Sequence, residues 1–321
     1  MTLRLPDHWV WDAWYAIEGH EAHAFFLYAP RSLGNPHLRH MHACVGHAVS
    51  RDLRKWRLRP EALRPGPRGA FDEQATWTGS VVRHENRWLM PYTGLARRGG
   101  RWIQQLGLAL SDDLDNWTKT EVVISADPRW YETAQQNGRE VYWRDPWAWI
   151  APDGTVHLLI TARANYGPSD GRGVIGHAWS WDLSHWEVGP PISEPGEFRQ
   201  LEVPQLLRAG SRWAVIFSAR ETDASAARAA RSGSVAEAGV HYLIGDDPLG
   251  PFRVAPGRFL LGDQVARFYA GRILEWKSGF VLIAWRDQVD GQFVGELADP
   301  IPVLIGQDGS IGLMSGEGGP Q

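Results

Sequence analysis

An all-β, five-bladed β-propeller with four antiparallel strands per blade is the fold this sequence predicts, and three observations predict it. An eleven-residue phrase recurs: GHAVSRDLRKW at 46–56, GLALSDDLDNW at 107–117 and GHAWSWDLSHW at 176–186 all read G-x-A-x-S-x-D-L-x-x-W. A short apolar strand precedes each copy, and such strands recur five times at spacings of about 57 to 69 residues. The runs are short, β-branched or aromatic, and broken by Gly and Pro, which suits strands and argues against helical repeats. Four short strands per unit and five units make a propeller.

The elements follow in chain order. Each unit opens on one strand: HWVWDAWYAI (8–17), ATWTGSVV (75–82), VYWRDPWAWI (141–150), QLEVPQLL (200–207) and VARFYAGRIL (265–274). In a propeller this strand lines the central channel. The apolar strand comes next: AHAFFLYAP, NRWLMPYTG, GTVHLLITAR, SRWAVIFSAR and SGFVLIAWRD, most of them after a turn signal such as PDG at 152–154. The repeated phrase supplies a third strand. Its S-x-D-L part reads as a tight turn in which Asp52, Asp113 or Asp182 bonds its own backbone. The closing Trp packs back on the blade. A weaker fourth copy is GVHYLIGDDPLGPF at 239–252, and the alanine-rich stretch 221–239 reads as a long, partly helical insertion. The expectation is one propeller domain over 1–321 with no C-terminal β-sandwich.

Composition narrows the function. The 321 residues carry a net charge of -4, with no basic block for nucleic acid or an anionic membrane. No apolar segment is long enough to span a bilayer, and the N-terminus lacks the apolar run of a secretory signal. Cys44 is the only cysteine, which fits a reducing compartment. A cytoplasmic protein with no cofactor is expected, and the abundance of Trp, whose flat face stacks on sugar rings, points to a carbohydrate substrate. The histidines at 37, 40, 42 and 47 match no zinc spacing, and GRGVIGH at 171–177 lacks the context of a nucleotide loop, so no metal is expected.

The channel strands carry the chemistry. Asp12, Asp145 and Glu202 fall at corresponding points of the first, third and fourth, with Thr78 at that point of the second. Three carboxylates far apart in sequence thus converge at one end of one axis. Convergent carboxylates raise one another's pKa, which keeps one protonated as an acid. Two carboxylates flanking a sugar bond are the working parts of most glycosidases. The eighteen Trp residues are mostly core, but a flat indole also stacks on a sugar ring. Trp11, Trp14, Trp77, Thr78, Arg144 and Tyr269 are the candidate substrate contacts.

GHAVSRDLRKW, FDEQATWTGS, YTG at 92–94, RDP at 144–146, EVP at 202–204 and the weaker ADPIPV at 298–303 resemble the invertase and levansucrase clan, glycoside hydrolase families 32 and 68. The resemblance implies a five-bladed propeller and a retaining hydrolase of β-fructofuranosides, with fructosyl transfer as a second outcome. It implies Asp12 as nucleophile, Asp145 as the acid that steadies the transition state, Arg144 as its neighbour on the sugar, and Glu202 as general acid/base. Trp77 and Thr78 match its sugar subsite. The EVP here departs from the usual E-C-P. Two alternatives stay open: an inverting arabinan- or xylan-type hydrolase of the related family 43 clan, and a sugar-binding propeller without catalysis.

Overall fold

In the computed structural model, residues 3–133, 142–232 and 237–314 are described. Val141 of the expected third channel strand and residues 233–236 of the expected insertion lie outside them. Five antiparallel sheets stand around one axis as blades I to V. Their innermost strands are His8–Glu18, Ala75–Gly79, Trp143–Ile150, Glu202–Ala209 and Phe268–Trp276. The second strands are Glu21–Pro30, Arg87–Arg98, Val156–Arg163, Arg212–Ala219 and Gly279–Val289. Each blade is built from consecutive chain, with short extra strands at 82–84, 261–263 and 292–297. Neighbouring innermost strands pack on one another, and that of blade I meets those of blades II and V, which closes the ring. Part of the alanine-rich stretch is helical, over Ala226–Ser232. Among the described residues no helix is long and apolar enough to cross a membrane.

The repeated phrase has a physical reason at almost every fixed position. A Cβ on Gly46 would lie 2.5 Å from the Phe26 ring, and one on Gly107 would lie 2.2 Å from Phe71, so an aromatic ring fills the place of a side chain. Asp52 Oδ1 accepts the amides of Arg54 and Lys55, Asp113 Oδ1 those of Asp115 and Asn116, and Asp182 Oδ1 those of Ser184 and His185. The serine two residues earlier accepts the aspartate's own amide in all three copies. The leucines that follow, Leu53, Leu114 and Leu183, take φ of 58°, 64° and 63° to close the turn. Trp117 and Trp186 donate Nε1–H back to the carbonyls of Leu114 and Leu183. The fourth copy keeps the device, with Asp247 accepting the amide of Leu249.

Every innermost strand is broken by a β-bulge at the same height. The register shifts between Trp11 and Ala13, Trp77 and Gly79, Arg144 and Trp147, Glu202 and Gln205, and Tyr269 and Arg272. A bulge inserts residues that oppose nothing on the partner strand and re-aims the side chains around it. Asp12, Asp145, Val203 and Ala270 sit in the bulges with φ of 25°, 56°, 56° and 48°. One expectation is therefore corrected. Glu202 does not share the position of Asp12 and Asp145. Val203 does, and Glu202 lies one residue earlier, level with Trp11, Trp77, Arg144 and Tyr269.

The bulge amides find partners across the blade gaps. Asp145 N–H donates to Thr93 Oγ1 at 2.8 Å, Val203 N–H to Thr161 Oγ1 at 3.2 Å, and Ala270 N–H to Ser218 Oγ at 3.0 Å. Each acceptor belongs to the second strand of the preceding blade. A buried amide needs such a partner, and here it also fastens blade to blade.

Candidate active site

The bulges present a polar constellation at one level of the axis. From blade I, Asp12 Oδ2 accepts Thr78 Oγ1–H of blade II at 2.6 Å. From blade III, Asp145 Oδ2 accepts the Thr161 hydroxyl at 3.0 Å and the Val203 amide at 3.2 Å. From blade IV, Glu202 is gripped on both oxygens: Arg144 Nη2 donates to Oε1 at 2.6 Å, and the Tyr269 hydroxyl of blade V donates to Oε2. Arg144 Nε lies 3.5 Å from Asp145, so one guanidinium serves two carboxylates. It also reaches Gln200 Oε1 at 2.7 Å. All five blades contribute to this one place.

Burial sets the proton affinities. It pushes Asp12 up, with the Glu202 charge adding to the rise while Thr78 works against it. Asp145 is pushed up to about 6 by burial, against the pull of Arg144. Burial also acts to raise Glu202, but Arg144 and the Tyr269 hydroxyl outweigh it and hold this carboxyl below its ordinary range. The difference follows the distances: Arg144 bonds Glu202 directly and only flanks Asp145.

Of the six candidate substrate contacts, five border the constellation. Thr78 and Arg144 are in it, and Tyr269 is bonded to it. Trp11 and Trp77 flank Asp12 and Thr78 in sequence and each lies edge-to-face with the His40 ring, at 6.0 and 6.2 Å between centroids, although Trp11 has almost no exposed surface. Trp14 is the exception and a correction. It is fully buried and stacked on Phe25, because the bulge at Asp12 resets the alternation and turns Trp14 into the core. It offers no face to a ligand.

The structure adds residues that sequence reasoning missed. Arg39 is buried, with its guanidinium 4.5 Å from the Phe293 ring and 5.3 Å from that of Trp11. Arg220 lies 4.1 Å over the Tyr269 ring and pairs with Asp287. Gln200 links the site to Asp223, itself raised to about 6 by burial and by the charge of Glu202. The available signals were faint: charges inside apolar strands, as at Asp287, or in the 3-10 helix Pro36–His42, which carries His37, His40 and His42. The four histidines of the sequence cluster part company. The His40 carbonyl oxygen accepts Trp77 Nε1–H, while His47 bonds His23 within blade I. Among the described residues no three His, Cys, Asp or Glu side chains gather as metal ligands.

Residues 14–295 match the model of the glycosyl hydrolases family 32 N-terminal domain, a match that starts two residues after Asp12. The sucrose-6-phosphate hydrolase of Bacillus subtilis is 28% identical over 281 residues, 84% of this chain and 53% of that protein. That of Zymomonas mobilis is 27% identical over 286 residues, 85% of this chain and 51% of that protein. The chain thus spans about half the length of the curated relatives it matches. Among solved structures, an inulosucrase of Halalkalicoccus jeotgali bound to kestose superposes with a TM-score of 0.74 at 20% identity, over 96% of this chain and 87% of that one. A Bombyx mori β-fructofuranosidase gives 0.71 at 21% identity, over 98% and 64%. These two show the fold. The match over 14–295, laid on five bulged blades that meet around three carboxylates, places the chain in glycosyl hydrolase family 32.

Proposed function

We propose that the chain is the catalytic propeller of a retaining hydrolase of β-fructofuranosides, working in the cytoplasm on sucrose, its 6-phosphate or short fructans. The observation that supports this best is the unequal treatment of the carboxylates. Glu202 is held on both oxygens, whereas Thr78 takes only Oδ2 of Asp12. Asp12 therefore keeps an oxygen with which to attack C2 of the fructosyl unit. As the bond from C2 to the leaving oxygen breaks, a protonated Glu202 delivers its proton to that oxygen. Water, or the hydroxyl of a second sugar, then gives a proton to Glu202 and attacks C2, which expels Asp12. Arg144 and Asp145 hold ring hydroxyls, and the grip of Asp145 tightens as positive charge develops on the sugar.

The test is stereochemical. NMR of a sucrose digest should show β-fructofuranose as the first anomer, and Asp12→Asn should lose turnover by about 10⁴-fold or more for want of a nucleophile. Retention also requires about 5 to 5.5 Å between the carboxyl groups of Asp12 and Glu202 in a complex with substrate. Inverted sugar appearing first would hand the site to an inverting mechanism.

A further inference from the structure

The bulge in blade IV is an uncomfortable one. Val203 is β-branched, yet it takes a φ of 56°, a region such residues rarely enter. Its peptide is also cut off from the sheet, since the register shift between Glu202 and Gln205 leaves Val203 and Pro204 without ladder partners. The amide side is served by blade III, through Asp145 and Thr161. The carbonyl side is served by blade V. Arg272 Nη1 donates to Val203 O at 3.2 Å and to Pro204 O.

Arg272 is built to stay there. It is 1% exposed, and its guanidinium lies 5.0 Å over the Trp147 ring of blade III. The next residue, Ile273, is bonded both ways to the Gln205 side chain of blade IV, at 2.6 and 2.8 Å. The side chain thus reaches from blade V beneath the bulge of blade IV to blade III. A guanidinium buried this deeply is costly unless it is used. Burial alone lowers its pKa to about 10, against the charges of Asp145 and Asp12.

We propose that Arg272 is a positioning residue for Glu202. By holding the two freed carbonyls it fixes the left-handed Val203 peptide, and that peptide sets the direction in which the preceding side chain leaves the strand. Arg272 touches no reacting atom in this arrangement. The inference rests on Glu202 being the proton donor proposed above.

The test compares two leaving groups. Arg272→Gln should lower kcat/KM on sucrose about 10²-fold, the loss expected from about 1 Å of misplacement. An aryl β-fructofuranoside with an acidic phenol needs little proton donation, and its turnover should fall by no more than about threefold. Arg272→Lys keeps the charge but has no planar guanidinium to lie over Trp147 while one end donates to both carbonyls, so it should show the same selective loss, and it serves if Arg272→Gln fails to fold. Equal losses on both substrates, or no loss on either, would overturn the proposal. A crystal structure of either variant decides the matter independently of activity. Glu202 should leave Arg144 and Tyr269, with Val203 out of the left-handed region; an unmoved Glu202 carboxylate contradicts the proposal. Wild-type protein that cleaves neither fructoside would instead sink the function proposed above, and the crystallographic comparison would still stand.

Discussion

Arg144 is asked to serve two carboxylates at once, and this creates a conflict in the ligand-free site. The residue proposed as proton donor, Glu202, is the one whose proton affinity Arg144 suppresses. A sugar resolves the conflict if its hydroxyls draw the guanidinium away, because Glu202 then loses its main stabilising charge and its pKa rises. The sign is testable. The basic limb of kcat/KM reports the free enzyme and that of kcat the complex. The limb should therefore lie at higher pH in kcat than in kcat/KM, and coincident limbs would contradict the exchange. On the acid side Asp145 must be ionised to support positive charge on the sugar. Once the bound sugar has raised Glu202, kcat should accordingly fall as the pH drops through about 6.

The turns of the repeated phrase lie at the ends of the third strands, away from the bulges. Their aspartates are exposed, and backbone amides hold Asp52 down to about 2. Replacing Asp113 with Ala should cost about 0.5 to 2 kcal/mol, as the loss of a comparable cap does, and Asp52→Ala and Asp182→Ala should lower stability in the same direction. Urea midpoints check this, and kcat/KM should not change. These turns were fully legible in the sequence, because each is a local device whose parts lie within seven residues. So were the strands, from their alternation and apolarity. The height of Glu202 was not. Counting along the chain placed it level with Asp145, but a bulge is a one-residue event and propensity does not register it. Setting RDP against EVP would have shown the offset, since Arg144 aligns with Glu202 and Asp145 with Val203. Trp14 went astray for the same reason, one residue past the bulge at Asp12. Arg39 and Arg220 were illegible in a stronger sense. They come from a 3-10 helix and the end of a strand, and only the closed ring carries them to the axis.

At the scale of the whole ring, paired histidines bear on stability. His23 Nδ1 meets His47 Nε2 at 3.0 Å in blade I, and His157 Nδ1 meets His177 Nε2 at 2.9 Å in blade III. In blade I the outer ring nitrogen of His47 faces Asp115 at 3.3 Å, and Arg59 donates to the same carboxylate. In blade III, Gly189 holds the register place of Arg59, and Leu249 follows its turn aspartate as Asp115 follows Asp113. Burial lowers His47 to about 3 and His177 to about 4. The unfolded chain, with histidines near 6.5, binds more protons at pH 5. The contribution is whole above about 6.5 and is lost as the pH falls toward 4. Asp145 and Asp223, both raised, act with the opposite sign. The variant therefore isolates the effect: His177→Gln should lose less stability than the parent between pH 7.5 and 5.0, read from urea midpoints. The consecutive build of the blades has a consequence of its own. Blades I and V meet only through contacts such as Leu297 N–H on Leu3 O and Arg31 Nη2–H on Val294 O. At the other four boundaries the polypeptide itself is a tether. Among the described residues no strand is exchanged across this seam, so the propeller is a bracelet with a clasp, and a permuted gene that moves the opening to another boundary would ask the same five blades to fasten elsewhere.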